Sequence, residues 1–232
     1  MTESASLPLE RPRRFHFDWV LPALFRPRQT FAQIAEQAGD VWLTPIAILM
    51  ALALVAVAVA GPLKQAAAQT GQTLPPDFEF WTPEQQAQFM QAQAATSGPV
   101  FVYVFPAIVS VLGVWVGWLV MVGLLHLVLT LIGGRGSTRT AMNVVAWASL
   151  PFAVRELVRI GAMLTTRQLI ANPGLSGFAP AGGGASAFLA AFLGLIDIYL
   201  IWHIVLLVFG VRAGNGLATA KAAGGVLLAM LL

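Results

Sequence analysis

The chain contains no cysteine, which excludes disulfides, thiolate nucleophiles and Cys-ligated metals. Charge is nearly as scarce. Lys and Arg number 13 and Asp and Glu 10, only 10% of 232 residues. A soluble domain carries about 25% charged residues, so there is too little polar surface here to cover a globule of this size in water. That argues against a soluble enzyme, a nucleic-acid reader and a disordered segment alike. A secretory signal places its apolar stretch just after a short basic start, whereas here the first apolar run begins at Pro45. The first span is therefore expected to serve as its own targeting signal.

What is present is apolar. Hydrophobic residues make up 58% of the chain and the mean hydropathy is +0.78. Five apolar segments stand out, at about 45–62, 99–132, 141–164, 185–209 and 217–232. A bilayer crossing needs about 20 apolar residues, and only helices satisfy their own backbone groups in lipid. The expected fold is all-α: a polytopic membrane protein with a bundle of five transmembrane helices over residues 45–232. Residues 1–44 form a cytoplasmic N-terminal segment. The second apolar segment is longer than a crossing requires, and Pro106 offers a kink near its start because proline deletes a backbone donor. The fifth is short, but Lys221 can snorkel to the interface.

Basic residues set the expected orientation. Arg11, Arg13, Arg14, Arg26 and Arg28 precede the first span, Arg135 and Arg139 follow the second, and Arg212 and Lys221 follow the fourth. An inside N-terminus puts these nine on the cytoplasmic side, with Lys64 and Arg167 outside and Arg155 and Arg159 within the third span. Basic loops mark the cytoplasmic face, so the N-terminus is expected inside and the C-terminus outside, in the cell inner (plasma) membrane.

Two helices that do not span are expected. Thr30 to Gln33 fits a capping box, and Phe31, Ile34, Ala35, Ala38 and Trp42 follow at helical spacing. This reads as a short interfacial helix on the cytoplasmic side; the alternative is a helix packed on the cytoplasmic loops. Thr82-Pro83-Glu84-Gln85 starts a second helix reaching about Ala95, with Pro83 at its first position. Gly174 to Gly184 reads as an external loop.

Ionisable groups within spans are the first place to look for function. Arg155, Glu156 and Arg159 lie in the third span, Asp197 and His203 in the fourth, and His126 in the second. Asp197 is expected near the bilayer centre with Arg155 at a similar depth. The intramembrane cluster Arg155, Glu156, Arg159 and Asp197 reads either as a proton or ion relay or as a structural pin, with Arg155 paired to Asp197 and Glu156 to Arg159. His126 and His203 lack the converging ligands a metal needs, so helix-to-helix hydrogen bonds are expected of them. Gly133 to Thr138 is a tight turn, or a seat for an anionic headgroup with Arg135 or Arg139. Gly113-x-x-x-Gly117, and Ser186, Ala190 and Gly194, read as helix-packing faces. No catalytic constellation is visible, so no enzyme activity, cofactor or metal is expected.

Three stretches carry a family resemblance: Leu24-Phe25-Arg26-Pro27-Arg28-Gln29-Thr30-Phe31-Ala32-Gln33-Ile34; Gly136 to Arg159 with Ala148-Ser149-Leu150-Pro151; and Asp197-Ile198-Tyr199-Leu200-Ile201-Trp202, followed by Leu206, Gly210 and Lys221-Ala222-Ala223. On these the chain resembles the bacterial branch of the Yip membrane family, named for Ypt/Rab-interacting proteins. The resemblance implies five spans, a cytoplasmic N-terminus and no catalysis. It also implies a trafficking role for eukaryotic relatives and an accessory role beside exporters for bacterial ones. The eukaryotic Asp-Leu-Tyr-Gly-Pro-type motif is missing. The expected function is a non-enzymatic membrane scaffold or accessory protein. Its partners would be the lipid bilayer and another membrane protein or a second copy, with no nucleic acid. The alternative is a small-ion or small-molecule transporter or channel, favoured if a cavity reaches Asp197.

The orientation is open to a direct test, since single cysteines can be added to a Cys-free chain. A cysteine at Gln86 is expected to react with an impermeant thiol reagent from outside, and one at Ser137 only from inside. The reverse pattern would overturn it.

Overall fold

A computed structural model of the chain describes residue 13 and residues 15–37, 39–70, 78–170, 188 and 197–232. Among these every regular element is helical. The expected loop at 174–184, the small-residue repeat at Ser186, Ala190 and Gly194, and the first part of the expected fourth span lie outside the described residues, apart from Phe188.

The helices are α1 (Val20–Phe25), α2 (Pro27–Glu36), α3 (Leu43–Thr70), α4 (Pro83–Thr96), α5 (Phe105–Leu131), α6 (Thr138–Ala148), α7 (Leu150–Thr166), α8 (Ile198–Asn215) and α9 (Thr219–Leu231). Three segments are long and apolar enough to cross a membrane: Leu43–Ala66, Val100–Leu131 and Ile198–Asn215. The first passes the expected end at Pro62, which the helix tolerates internally. In the second, the expected kink at Pro106 takes the form of a π-helical turn, Val100–Val104, in which the Phe105 amide donates to Val100 O. The widened turn sits just where proline withdraws a donor from the α-helical ladder.

The expected third span is not one helix. It breaks at Ser149 into α6, with 11 residues, and α7, with 17. Pro151 has no N–H to give Trp147 O, so the ladder cannot continue in register. Nor is α6 a lipid-facing helix. Ala141 and every residue from Asn143 to Ala148 are buried, because α2, α3, α5 and α8 pack around it. A helix apolar on all sides is either enclosed or membrane-exposed, and here enclosure wins. The main core forms around it, with Leu125 and Leu129 from α5, Leu207 and Val211 from α8, and Val226 from α9.

The N-terminal segment also departs from expectation. Thr30 caps nothing; it lies inside α2, which opens with Pro27 after Arg26 and has no side-chain cap. The Thr30 hydroxyl instead donates to Arg26 O at 3.2 Å. The reciprocal capping pair occurs at α4, where the Gln85 amide donates to Thr82 Oγ1 and the Thr82 amide to Gln85 Oε1. The Phe31 and Ile34 face of α2 is fully covered by protein, chiefly α8, and is not presented to the membrane surface. Downstream, the linker is latched to α6. Asn143 Oδ1 accepts from the Val41 amide at 3.2 Å, its Nδ2 donates to Gly39 O at 3.2 Å, and Trp147 Nε1 donates to Val41 O at 3.0 Å. Composition signalled an amphipathic helix there; only the tertiary packing chose protein as its cover.

Gly210 marks the tightest point of this docking. A Cβ added there would lie 2.4 Å from Val144 Cγ1 and 3.0 Å from Phe31 Cδ1. Gly210→Val is therefore expected to lower stability by about 1–3 kcal/mol through overpacking. Gly224→Ala, where an added Cβ meets nothing within 4 Å, serves as control. Thermal unfolding in detergent checks both; equal midpoints would show that α2 is not seated against α8.

Candidate functional site

The break between α6 and α7 builds the site. With the Phe152 amide turned to Ser149 O at 3.0 Å, the Ala148 carbonyl leaves the helical ladder. His203, buried on α8, meets that oxygen through Nδ1 at 2.7 Å. A carbonyl makes the Nδ1–H tautomer the donor. Freed backbone groups in membrane helices are re-satisfied by neighbouring helices, and here one imidazole does so. Phe152 packs beside it, with ring centroids 4.8 Å apart.

One turn further along α7, Arg155 lies over the Phe152 ring at 5.0 Å and donates through Nη1 to Asp197 Oδ2 at 2.8 Å. The other Asp197 oxygen, Oδ1, accepts from the Tyr199 amide at 2.8 Å, capping α8. Asp197 therefore stands at the start of the helix Ile198–Asn215, and the part of the expected span before it lies outside the described residues apart from Phe188. On α7 itself, Arg159 Nη1 donates to Glu156 Oε1 at 3.2 Å. The sequence-predicted cluster of Arg155, Glu156, Arg159 and Asp197 thus forms two neutral pairs along the middle of α7. Among the described residues, no three His, Asp or Glu side chains converge as metal ligands do. His126 lies apart, with Nε2 3.3 Å from Thr138 Oγ1.

Sequence reasoning missed a cleft. A cavity of about 620 Å³ runs between α3, α5 and α7. Its lining mixes apolar residues such as Ile46, Leu49 and Met121 with the charged side chains Lys64, Arg155, Glu156 and Arg159. Its described lining includes His203 but not Asp197. Gly113 and Gly117, expected to press against another helix, line this cleft, and an added Cβ at either meets nothing within 4 Å. The spacing of the two glycines was legible, whereas the space in front of them was not.

The turn at Gly133–Thr138 is used structurally. Gly133 adopts φ +89°, the Gly136 amide donates to Asn215 Oδ1 at 2.9 Å, and Ser137 caps α6 by accepting from the Thr140 amide at 3.1 Å. Arg139 pairs with Asp40 at 3.1 Å.

The family model for the Yip1 domain matches residues 23–232. No curated protein and no solved structure matches the chain.

Two substitutions test the site's structural weight. His203→Leu leaves Ala148 O without its donor and is expected to cost about 1–3 kcal/mol. Asp197→Asn is expected to cost less, about 1 kcal/mol, because the Arg155 side chain it leaves is 45% exposed while Asp197 is 18% exposed. Adding Arg155→Gln to Asp197→Asn is expected to recover part of that loss. Thermal melts of the unaltered chain, these three variants and Arg155→Gln alone in detergent check the ranking, and additive losses in the double variant would show that the pair is not coupled.

Proposed function

The chain belongs to the Yip1 domain family, and from that premise we propose that it is a non-enzymatic integral membrane scaffold or accessory protein, binding partner membrane proteins or shaping the bilayer. The observation that carries this reading is the self-neutralised cluster. Arg155 pairs with Asp197 and Arg159 with Glu156, so each acid already has a base and the cluster has no surplus acid to move a cation. The faces of the apolar helices add support. Only 17–28% of each candidate span's apolar window is buried inside the protein, which leaves broad apolar faces for lipid or for another membrane protein.

We further propose five crossings, with α6 and α7 together forming one kinked crossing and α9 a short one flanked by Lys221. The N-terminus lies inside. In support, Arg28 lies 5.7 Å from the Phe209 ring centroid, Gly136 bonds Asn215 and Arg139 bonds Asp40, which draws the basic residues of three segments to one end of the bundle. Basic residues gather on the cytoplasmic face. The interfacial role passes from α2 to the segment before it. There Phe15, Phe17, Leu21 and Phe25 are exposed among Arg13, Arg26 and Arg28, the pattern of a segment lying in the headgroup layer.

Reconstituted vesicles test the scaffold against the transporter. The full chain is expected to pass no proton or cation current, and to co-purify in mild detergent with a membrane protein in fixed stoichiometry. A flux abolished by Asp197→Asn in a chain that remains folded would overturn the scaffold reading.

A further inference from the structure

The cleft between α3, α5 and α7 is built for a molecule of defined chemistry, whether or not the chain acts as a scaffold. Along α3 its wall runs from Ile46 to Lys64, a rise of about 27 Å at 1.5 Å per residue. That length accommodates an acyl chain, which reaches about 15 Å, half the hydrocarbon thickness. The middle of the cleft is faced with small residues, Ala53, Ala56 and Ala60 on α3 and Gly113 and Gly117 on α5. In lipid such faces normally bring helices into contact. Ala56 and Ala60 do meet α7, but at the two glycines of α5 the wall stands free, and a methyl at either meets nothing within 4 Å. Apolar walls without atoms against them forfeit dispersion contacts, and the molecules at hand to supply those atoms in a bilayer are lipid chains.

The charged lining of the cleft is cationic in balance. Lys64, Arg155 and Arg159 face one carboxylate, Glu156, within the lining, and Asp197 pairs with Arg155 from outside it. Three cations against two anions leave one positive charge. Lys64 is exposed and has no ion pair among the described residues. Each arginine engages its carboxylate through Nη1, and a guanidinium has five N–H donors, so donors remain for another oxygen anion. Arginine and phosphate oxygens match in bidentate geometry. A transmembrane helix does not fit: at about 10 Å wide it would need roughly 2,000 Å³ over this length, against about 620 Å³ present.

We propose that this cleft binds an anionic phospholipid, one acyl chain lying along the Ala53–Gly117 walls and the phosphate held by Lys64 and Arg159. The full chain, purified in detergent and delipidated, is incubated with phosphatidylglycerol or with phosphatidylcholine of the same acyl chains, and retained lipid is counted by native mass spectrometry. One phosphatidylglycerol is expected to remain bound, with phosphatidylcholine at least about fivefold less, the discrimination expected of a single cationic side chain. Gly113→Leu with Gly117→Leu fills the cleft and is expected to abolish retention without lowering the thermal midpoint. Lys64→Gln, at an exposed position, is expected to weaken phosphatidylglycerol retention about fivefold, and it supplies the test should the leucine variant not fold. Equal retention of the two lipids, or unchanged phosphatidylglycerol retention in either variant, would overturn the proposal.

Discussion

A backbone carbonyl that leaves its helix in an apolar surround must find a donor, and the structure is organised around one such carbonyl, that of Ala148. Pro151 breaks the ladder between α6 and α7, the Phe152 amide turns to Ser149 O, and His203 supplies the missing donor from α8. An orphaned buried acceptor costs more than an ordinary hydrogen bond gains. The kink and the histidine therefore stand or fall together, and their bond fixes where α8 crosses the bend. Asp197 continues the same join one turn away, capping α8 with one oxygen and holding Arg155 of α7 with the other.

With the bend fixed, the enclosure of α6 follows. A helix of 11 residues is too short to cross a bilayer alone, and burying it on every side turns that shortness into a core. Asn143 and Trp147 then use the few polar groups of α6 to hold the linker at Gly39 and Val41, so the segment ahead of the first span is tied to the middle of the bundle. The other two tryptophans near this junction, Trp115 and Trp118, stack around Trp42, with the Trp42–Trp118 centroids 4.8 Å apart. The Trp118 indole donates to Met142 O at 3.2 Å, whereas Trp42 Nε1 is buried without a partner among the described residues.

The same bend leaves an apolar cleft on its far side. α7 turns charged residues toward α3 and α5, whose small residues Ala53, Gly113 and Gly117 keep the walls thin. The charges of α7 are arranged as pairs, which permits them to sit beside apolar surface at modest cost. A single cluster thus combines a structural join, an electrostatic balance and the polar lining of a cleft. That combination suits a protein whose proposed work is to hold other membrane components.

Much of this was legible in the residues. The scarcity of charge and the long apolar runs determined a helical membrane protein, because an uninterrupted apolar run of that length satisfies its backbone groups in lipid as a helix, whereas barrel strands are short and alternate. The helical spacing of Glu156 and Arg159 gave their pair; the pairing of Arg155 with Asp197 was expected from a similar depth in two spans, whereas the structure brings them together with Asp197 as the cap of α8. The stretches at Ala148–Pro151 and Asp197–Trp202 carried the family resemblance, and they are the two halves of the bend and its brace. Three features were decided by tertiary structure alone. Whether an apolar helix such as α6 faces lipid or protein depends on its neighbours, since both are apolar and the pattern reads the same. Whether Thr30 caps a helix depends on where the chain first turns helical, and Pro27 moved that point forward. Whether Gly113 and Gly117 meet a helix or a cleft depends on how far the bend at Ser149 holds α7 away, a distance between elements that spacing within one helix does not encode.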